Sequence, residues 1–352
     1  MAERHAADAL RSWAAELLVR AGMDAVLARD VAAVLVEGDL LGHDTHGLAL
    51  LAPYLVELEA GTMRRQGRYR VLSERAATAL WDGGRLPGPW LVLQAVDDAI
   101  ARARECGTGT VVIRRSHHIA CLAAYLMHAT ERGFALLVAC SDPNSASVAP
   151  HGGRKAVFTP DPLAFGVPTS GDPVLIDLSA SLTTNGMTAR LHKHGRRLAH
   201  PWLLDAAGQA TDDPAVLFSE PRGTILPAGG IEAGHKGYAL ALIVELLTGA
   251  LAGHGRADPK EGWGATVMVQ AFDPAAFGGT DAFLRQADWL TAACRDNPPR
   301  PGVDAVRLPG QRGLARKREQ LRDGVVLQPD IVPALEPWAQ RLGVPMPAAI
   351  GR

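Results

Sequence analysis

The hydrophobic period of this chain changes along its length, and that change limits the fold more than any single motif. Up to residue 106 the apolar residues recur mainly at helical spacing. AADALRSWAAELLVRAG closes on Gly22, and DAVLARDVAAVLVEGDLLG opens on Asp24 as a cap and stops at Gly42. HGLALLAPYLVELEAG extends a third helix to Gly61, with Pro53 in its first turns or at a kink. RYRVLSERAATALWDGG alternates like a β-hairpin, and PWLVLQAVDDAIARARECG returns to helix. From residue 109 strands and helices alternate. GTVVIRRS, FALLVACS, AVFTPDPLAFGVPT, PVLIDLSAS and ATVMVQAFDP read as strands, while ACLAAYLMHATERG reads as a helix ending at Gly133. GHKGYALALIVELLTGALAG reads as a long buried helix, and the charged QRGLARKREQLRDG as a helix near the end. The expectation is α+β: helices from both chain ends around a mixed sheet.

One familiar solution is excluded at once. No GxGxxG follows a strand; GTGTVV at 107–112 lacks the third glycine and leads into a strand. With 36 basic and 37 acidic residues the net charge is -1, which argues against a nucleic-acid partner. No apolar run is long enough for a membrane span, and the charged N-terminus lacks the design of a signal peptide. Cys106, Cys121, Cys140 and Cys294 lie far apart without a CxxC pair, which suits a reduced, cytoplasmic setting.

The stretch GHDTHG leaves the second helix with two histidines, Asp44 and Thr45, and three readings stay open from the residues alone. Thr45 and Asp44 can cap the next helix. His43 and His46 can bind metal, although their spacing of three and the following Gly47 differ from HExxH, so no metal site is expected. His46 can act as a general acid/base whose tautomer a neighbouring hydroxyl fixes.

Six segments in order tip the balance. GHDTHGLALLAPYL resembles SHGxxRxxxY, and RRSHHIACLAAYL with the later PHGG turn resembles NSxHFGxAGYY and PxGG. TPDPLAFGVP is similar to GTNPxAxxxP, and VLIDLSASLTTNG to FDxAxSxxxxG. GHKGYALALIVELLTGALAG is similar to HKGxGLxxxxxxLxGxLxG, and LPGQRGLARKRE to PGERxxxxRxE. These are the signatures of the malate/L-lactate dehydrogenase family of the non-Rossmann type.

The resemblance implies a homodimeric oxidoreductase using NADPH or NADH on a small molecule. It implies a non-Rossmann NAD(P)-binding mixed β-sheet domain over 76–284, and a helical domain built from 1–75 and 285–352. By position His46 is the proton donor, Thr45 its neighbouring hydroxyl, and Tyr54 the tyrosine of the substrate pocket. His118, Ile119, Ala120, Cys121 and Leu122 match a cofactor-contacting turn, with His118 also facing substrate. Asp177, Leu178 and Ser179 match a cofactor-contacting strand. His235, Lys236 and Gly237 match a helix start near the cofactor phosphates, and Gly310, Gln311 and Arg312 the tail that closes over the cofactor.

Three substrate positions depart from the pattern. The carboxylate-binding Arg is Leu50, which supplies no donor. The Thr of GTNP is Pro160, and the Asp of imine-reducing members is Met187. The expectation is an unusual ketone or imine substrate, possible in specialised biosynthesis. The alternatives are an ordinary 2-oxo acid dehydrogenase and a catalytically silent nucleotide-binding relative.

Overall fold

The computed structural model describes residues 3–350. Its strands are β1 (Arg70–Glu74), β2 (Thr78–Asp82), β3 (Thr108–Ser116), β4 (Ala135–Ser141), β5 (Pro162–Val167), β6 (Val174–Ser179), the short β7 (Leu203–Leu204), β8 (Ala210–Thr211) and β9 (Thr224–Ile225), and β10 (Ala265–Phe272). Its helices are α1 (Ala7–Arg20), α2 (Ala25–Leu41), α3 (Leu51–Glu59), α4 (Gly88–Cys106), α5 (Ala123–Thr130), α6 (Asn185–Lys193), α7 (Gly230–Ala233), α8 (His235–Glu245), α9 (Thr280–Arg295), α10 (Gln311–Asp323) and α11 (Ile331–Leu342).

Seven strands form one mixed sheet in the order β1-β2-β3-β10-β4-β5-β6, and β8-β7-β9 form a second, small sheet. Only β2 and β3 run parallel in the large sheet, joined by α4; every other neighbour is antiparallel. The alternation of the central strands explains how both faces are covered, since successive side chains point to opposite faces. Val111, Ile113, Leu136, Val138, Val267 and Val269 join one continuous core with α1 to α5 and α11. Val112, Ala139 and Met268 point the other way and meet Val244 and Ala252.

Both chain ends meet. His5 and Val325 exchange backbone hydrogen bonds of 3.0 and 2.8 Å. Trp13 Nε1 donates to the Val344 carbonyl at 3.3 Å, and Gln320 Nε2 donates to the carbonyls at the end of α2.

The structure differs from the sequence reading in several elements. The 120–122 stretch is a turn, and α5 starts only at Ala123. Residues 157–159 contribute an isolated bridge, Val148 to Phe158, and the strand begins at Pro162. The sequence reading assigned no element to α6, α11 or β7 to β9. Their apolar runs are short, and Pro337 lies inside α11. The apolar helix that opens at His235 is α8 followed by a π-helical turn at Leu246–Ala250, and it is not buried throughout. Leu242, Ile243, Leu246 and Leu251 are exposed, Leu246 by 61%. Among the described residues no helix is long and apolar enough to cross a membrane.

Candidate active site

The loop after α2 is held by close backbone approach. A Cβ added at Gly38 would lie 2.9 Å from the His46 carbonyl oxygen, and one at Gly47 would lie 2.4 Å from Asp39 Cγ. Both positions therefore need glycine for contact rather than for φ. Asp39 is buried, and its Oδ2 accepts the Leu48 N–H at 2.7 Å. Burial pushes the Asp39 carboxyl up to about 7, against the lowering effect of that hydrogen bond. Asp44 ties the same loop to the C-terminal part. Its carboxylate accepts from Arg316 at 3.0 Å and Gln328 at 2.6 Å, and its carbonyl from Arg190 at 2.9 Å.

This frame presents His46. Thr45 Oγ1 lies 2.8 Å from His46 Nδ1, so the ring orientation is set by its sequence neighbour. Burial lowers the His46 pKa to about 4, with a smaller contribution from His43. The imidazole is neutral at neutral pH. His46 and His118 stack with ring centroids 5.9 Å apart. Tyr54, fully buried on α3, brings its hydroxyl 2.9 Å from His118 Nδ1 and donates to the His118 carbonyl at 3.1 Å. The Ala120 N–H also donates to His118 Nδ1 at 3.2 Å. That nitrogen is thereby an acceptor, and neutral His118 carries its proton on Nε2. Burial holds the His118 imidazole well below its usual range, first by desolvation and then by His46.

The remaining segments named from sequence converge on β6, the sheet edge. Asp177 Oδ2 accepts the Ala123 N–H at 2.9 Å and lies 3.9 Å from Cys121 Sγ. Ala180 N donates to the Pro160 carbonyl at 2.8 Å, which fixes Pro160 beside the end of β6. A Cβ on Gly237 would lie 2.6 Å from the Ala180 carbonyl, so the start of α8 packs there because this residue is glycine. Gly310, with φ +82, seats the start of α10 on Leu175, where a Cβ would come within 2.6 Å of the Leu175 Cβ. Ser179 Oγ turns to the Ser181 carbonyl at 3.1 Å, and Gln311 Oε1 accepts the Leu308 N–H at 3.0 Å, so both side chains serve local turns. His235, Lys236, Arg312 and Leu178 are exposed. Ile119, Cys121 and Leu122 are buried.

The substituted positions come from three separate segments. Leu50 packs partly buried against the main core at the start of α3. Met187, on the first turn of α6, is 41% exposed, and Gly186 before it approaches Thr45: a Cβ there would lie 3.3 Å from Thr45 Cβ.

Four features escaped the sequence reading. Trp263 stands 4.6 Å from His118 and 5.6 Å from Tyr54, ring to ring, and comes from the loop before β10. Ala120 has φ +60, a left-handed conformation that the HFG pattern assigns to glycine. That replaced glycine was legible by comparison with the pattern. Asp161, beside Pro160, is fully buried with φ +45 and accepts from Thr159 Oγ1 at 2.8 Å. Burial and neighbouring Glu245 push its carboxyl up to about 8. Finally, His43 Nδ1, Cys121 Sγ and Asp177 Oδ2 lie within 4.8 Å of one another, a donor set that shares His43 with the pair weighed in the sequence and has Cys121 and Asp177 in place of His46.

A mixed sheet with helices from both termini defines the fold, and within it a half-buried Thr45–His46 pair faces a second histidine. Malate dehydrogenase from Entamoeba histolytica shares the fold with a TM-score of 0.93 at 22% identity, covering 99% of this chain and all of that one. Δ1-piperideine-2-carboxylate reductase from Pseudomonas syringae pvar. tomato matches at a TM-score of 0.81 and 25% identity, over 96% of this chain and 100% of that one. L-lactate dehydrogenase of Cupriavidus necator is 34% identical over 346 residues, 96% of this chain and 98% of that protein. The family model for malate/L-lactate dehydrogenase matches residues 5–336. The chain belongs to the malate/L-lactate dehydrogenase family, whose relatives here are dehydrogenases and reductases of hydroxy acids and of a cyclic imine acid.

Proposed function

We propose that this protein is an NADPH- or NADH-dependent oxidoreductase that exchanges hydride with the C=O or C=N carbon of a small molecule, His46 carrying the proton. The observation that carries this reading is the half-buried Thr45–His46 pair, with Nδ1 held by a hydroxyl at 2.8 Å. A nicotinamide cofactor, when bound, supplies the two-electron hydride exchange. The residues fit such a group. Two segments meet β6 and its end through the glycine contacts of Gly237 and Gly310, and the exposed Lys236 stands in the first turn of an 11-residue helix, suited to phosphate. In the oxidising direction neutral His46 takes the proton that the substrate hydroxyl or amine gives up. In the reducing direction it returns one to oxygen or nitrogen. Tyr54 acts by holding His118 in place rather than by titrating.

Leu50, Pro160 and Met187 rewrite the substrate half of the cleft. Leu50 offers no fork of donors to a 2-oxo carboxylate, so we expect a ketone or imine anchored some other way. The test is an NAD(P)H oxidation assay over 2-oxo acids, cyclic imine carboxylates and ketones without an adjacent carboxylate. Wild type should turn over the 2-oxo acids poorly, and Leu50→Arg should lower their KM by about tenfold or more, the scale of one charge-assisted pair. Fast turnover of pyruvate-like acids by wild type contradicts the rewritten pocket. Cofactor binding without turnover of any compound favours the silent relative.

We also read the molecule as a homodimer, with residues 1–75 and 285–352 as one helical unit and 76–284 as the cofactor unit, working in the cytoplasm. The exposed apolar stripe of α8 and its π turn supports a second copy as its cover, since such patches on soluble chains mark contact sites.

A further inference from the structure

A second pocket opens beside the cleft, between the 145–147 loop, α6 and β9, with a volume of about 400 Å³. Its lining is one-signed. Of fourteen lining residues, Arg154, Lys155 and Arg222 are cationic and none is acidic. The sole carboxylate paired with Arg222 is Glu220, two residues away, and both side chains are more than two-thirds exposed. Deeper in, Thr224 is 2% exposed and its Oγ1 has no hydrogen-bond partner. Ser147 Oγ is likewise buried and unpaired, and the Ile225 N–H to Ser147 carbonyl bond of 2.8 Å holds the two segments side by side. Buried hydroxyls without partners are costly, and both belong to residues that line the pocket. The facing wall is apolar: Leu217 and Phe218 line it, Phe218 stacked on His192 at 4.4 Å.

The pocket and the proton carrier share α6. Asn185 and Thr188 line the pocket, while Gly186 between them is the residue that abuts Thr45. The cationic chamber therefore lies across the first turn of α6 from the residue next to His46. We propose that this pocket binds an anionic group, a carboxylate or phosphate, carried by the substrate at a distance from the reacting carbon. It takes over the anchoring that Leu50 no longer provides. The apolar wall suits a hydrocarbon linker, and the substrate class is a ketone or imine with a remote acidic tail. The assignment rests on His46 as the site of reaction, and the test separates the two.

Thermal unfolding in inorganic phosphate, against chloride at equal ionic strength, reads the pocket without catalysis. Wild type should gain about 1–3 °C at tens of millimolar phosphate, the shift expected of a millimolar site. The exposed double variant K155A/R222A should lose that gain, and Thr224→Val should reduce it. Equal gains in wild type and the double variant overturn the site. Steady-state kinetics on paired ketones, identical except for a terminal carboxylate, then identify the source of the anion. Wild type should show at least about a tenfold lower KM for the acidic member, roughly one charged hydrogen bond. The double variant should treat the pair alike. A defect seen only with NADPH and not with NADH would assign the pocket to the cofactor's phosphate and overturn the substrate assignment. If no ketone turns over, the functional reading fails, while the phosphate shift still decides the pocket.

Discussion

At the scale of single residues, the proposed proton chemistry at His46 depends on solvation. His46 is half-buried with no carboxylate bonded to it, and desolvation lowers its pKa from the usual imidazole value to about 4. The neutral form is the resting form from about pH 5 upward, and a base in the oxidising direction is always available there. The reducing direction needs the imidazolium. We expect kcat/KM for oxidation to rise through pH 4 and then level. For reduction it should fall about tenfold per pH unit above pH 5. Initial-rate profiles in both directions check this, and a reduction profile flat to pH 7 would show that the proton comes from another group.

At the scale of elements, α2 and its exit loop place the histidine, and Asp39 is the hinge of that packing. Its folded pKa of about 7 exceeds the ordinary carboxylate value. Between about pH 4 and 7 the folded protein therefore keeps a proton that the unfolded chain has lost, so this residue's contribution to stability falls as pH rises across that window. His46 and His117, both lowered to about 4 mainly by burial, act oppositely: their contribution rises with pH up to about 6.5. The Asp39→Asn variant keeps the acceptor for Leu48 and removes the first effect alone. Urea unfolding should show the stability difference moving in favour of the variant as pH rises from 4 to 7. A difference independent of pH would mean that the carboxyl is not protonated in the fold. Gly47 was legible in the sequence as part of the HG pair. Its physical reason, the Asp39 carboxyl 2.4 Å from any Cβ, was not, because Asp39 lies eight residues earlier and a turn away.

At the scale of the whole molecule, the large elements and the family were legible because their periodicity is long and their motifs come in order. The cleft was legible as a set of positions, but the sequence could not say that Trp263 closes on His118 or that cations gather beside α6. Those contacts join residues from distant segments. The apolar period of α8 was read correctly as helix and incorrectly as buried, since periodicity reports a hydrophobic face and not what covers it. If a second copy covers it, light scattering should give twice the chain mass at micromolar concentration. The I243E/L246E double variant should shift toward a monomer that keeps its helical circular dichroism; a wild type monomeric at 50 µM, roughly 6 kcal/mol or weaker in association, would contradict the dimer.

On the proposed function, His46 moves the proton and does not build the cofactor site. Substituting His46→Ala and measuring both turnover and cofactor affinity, the latter by fluorescence titration with NADPH and NADH, tests it directly. The account predicts a loss of about 10²–10⁴ in turnover with cofactor affinity nearly intact. Unchanged turnover, or cofactor affinity lost in equal measure, would contradict it.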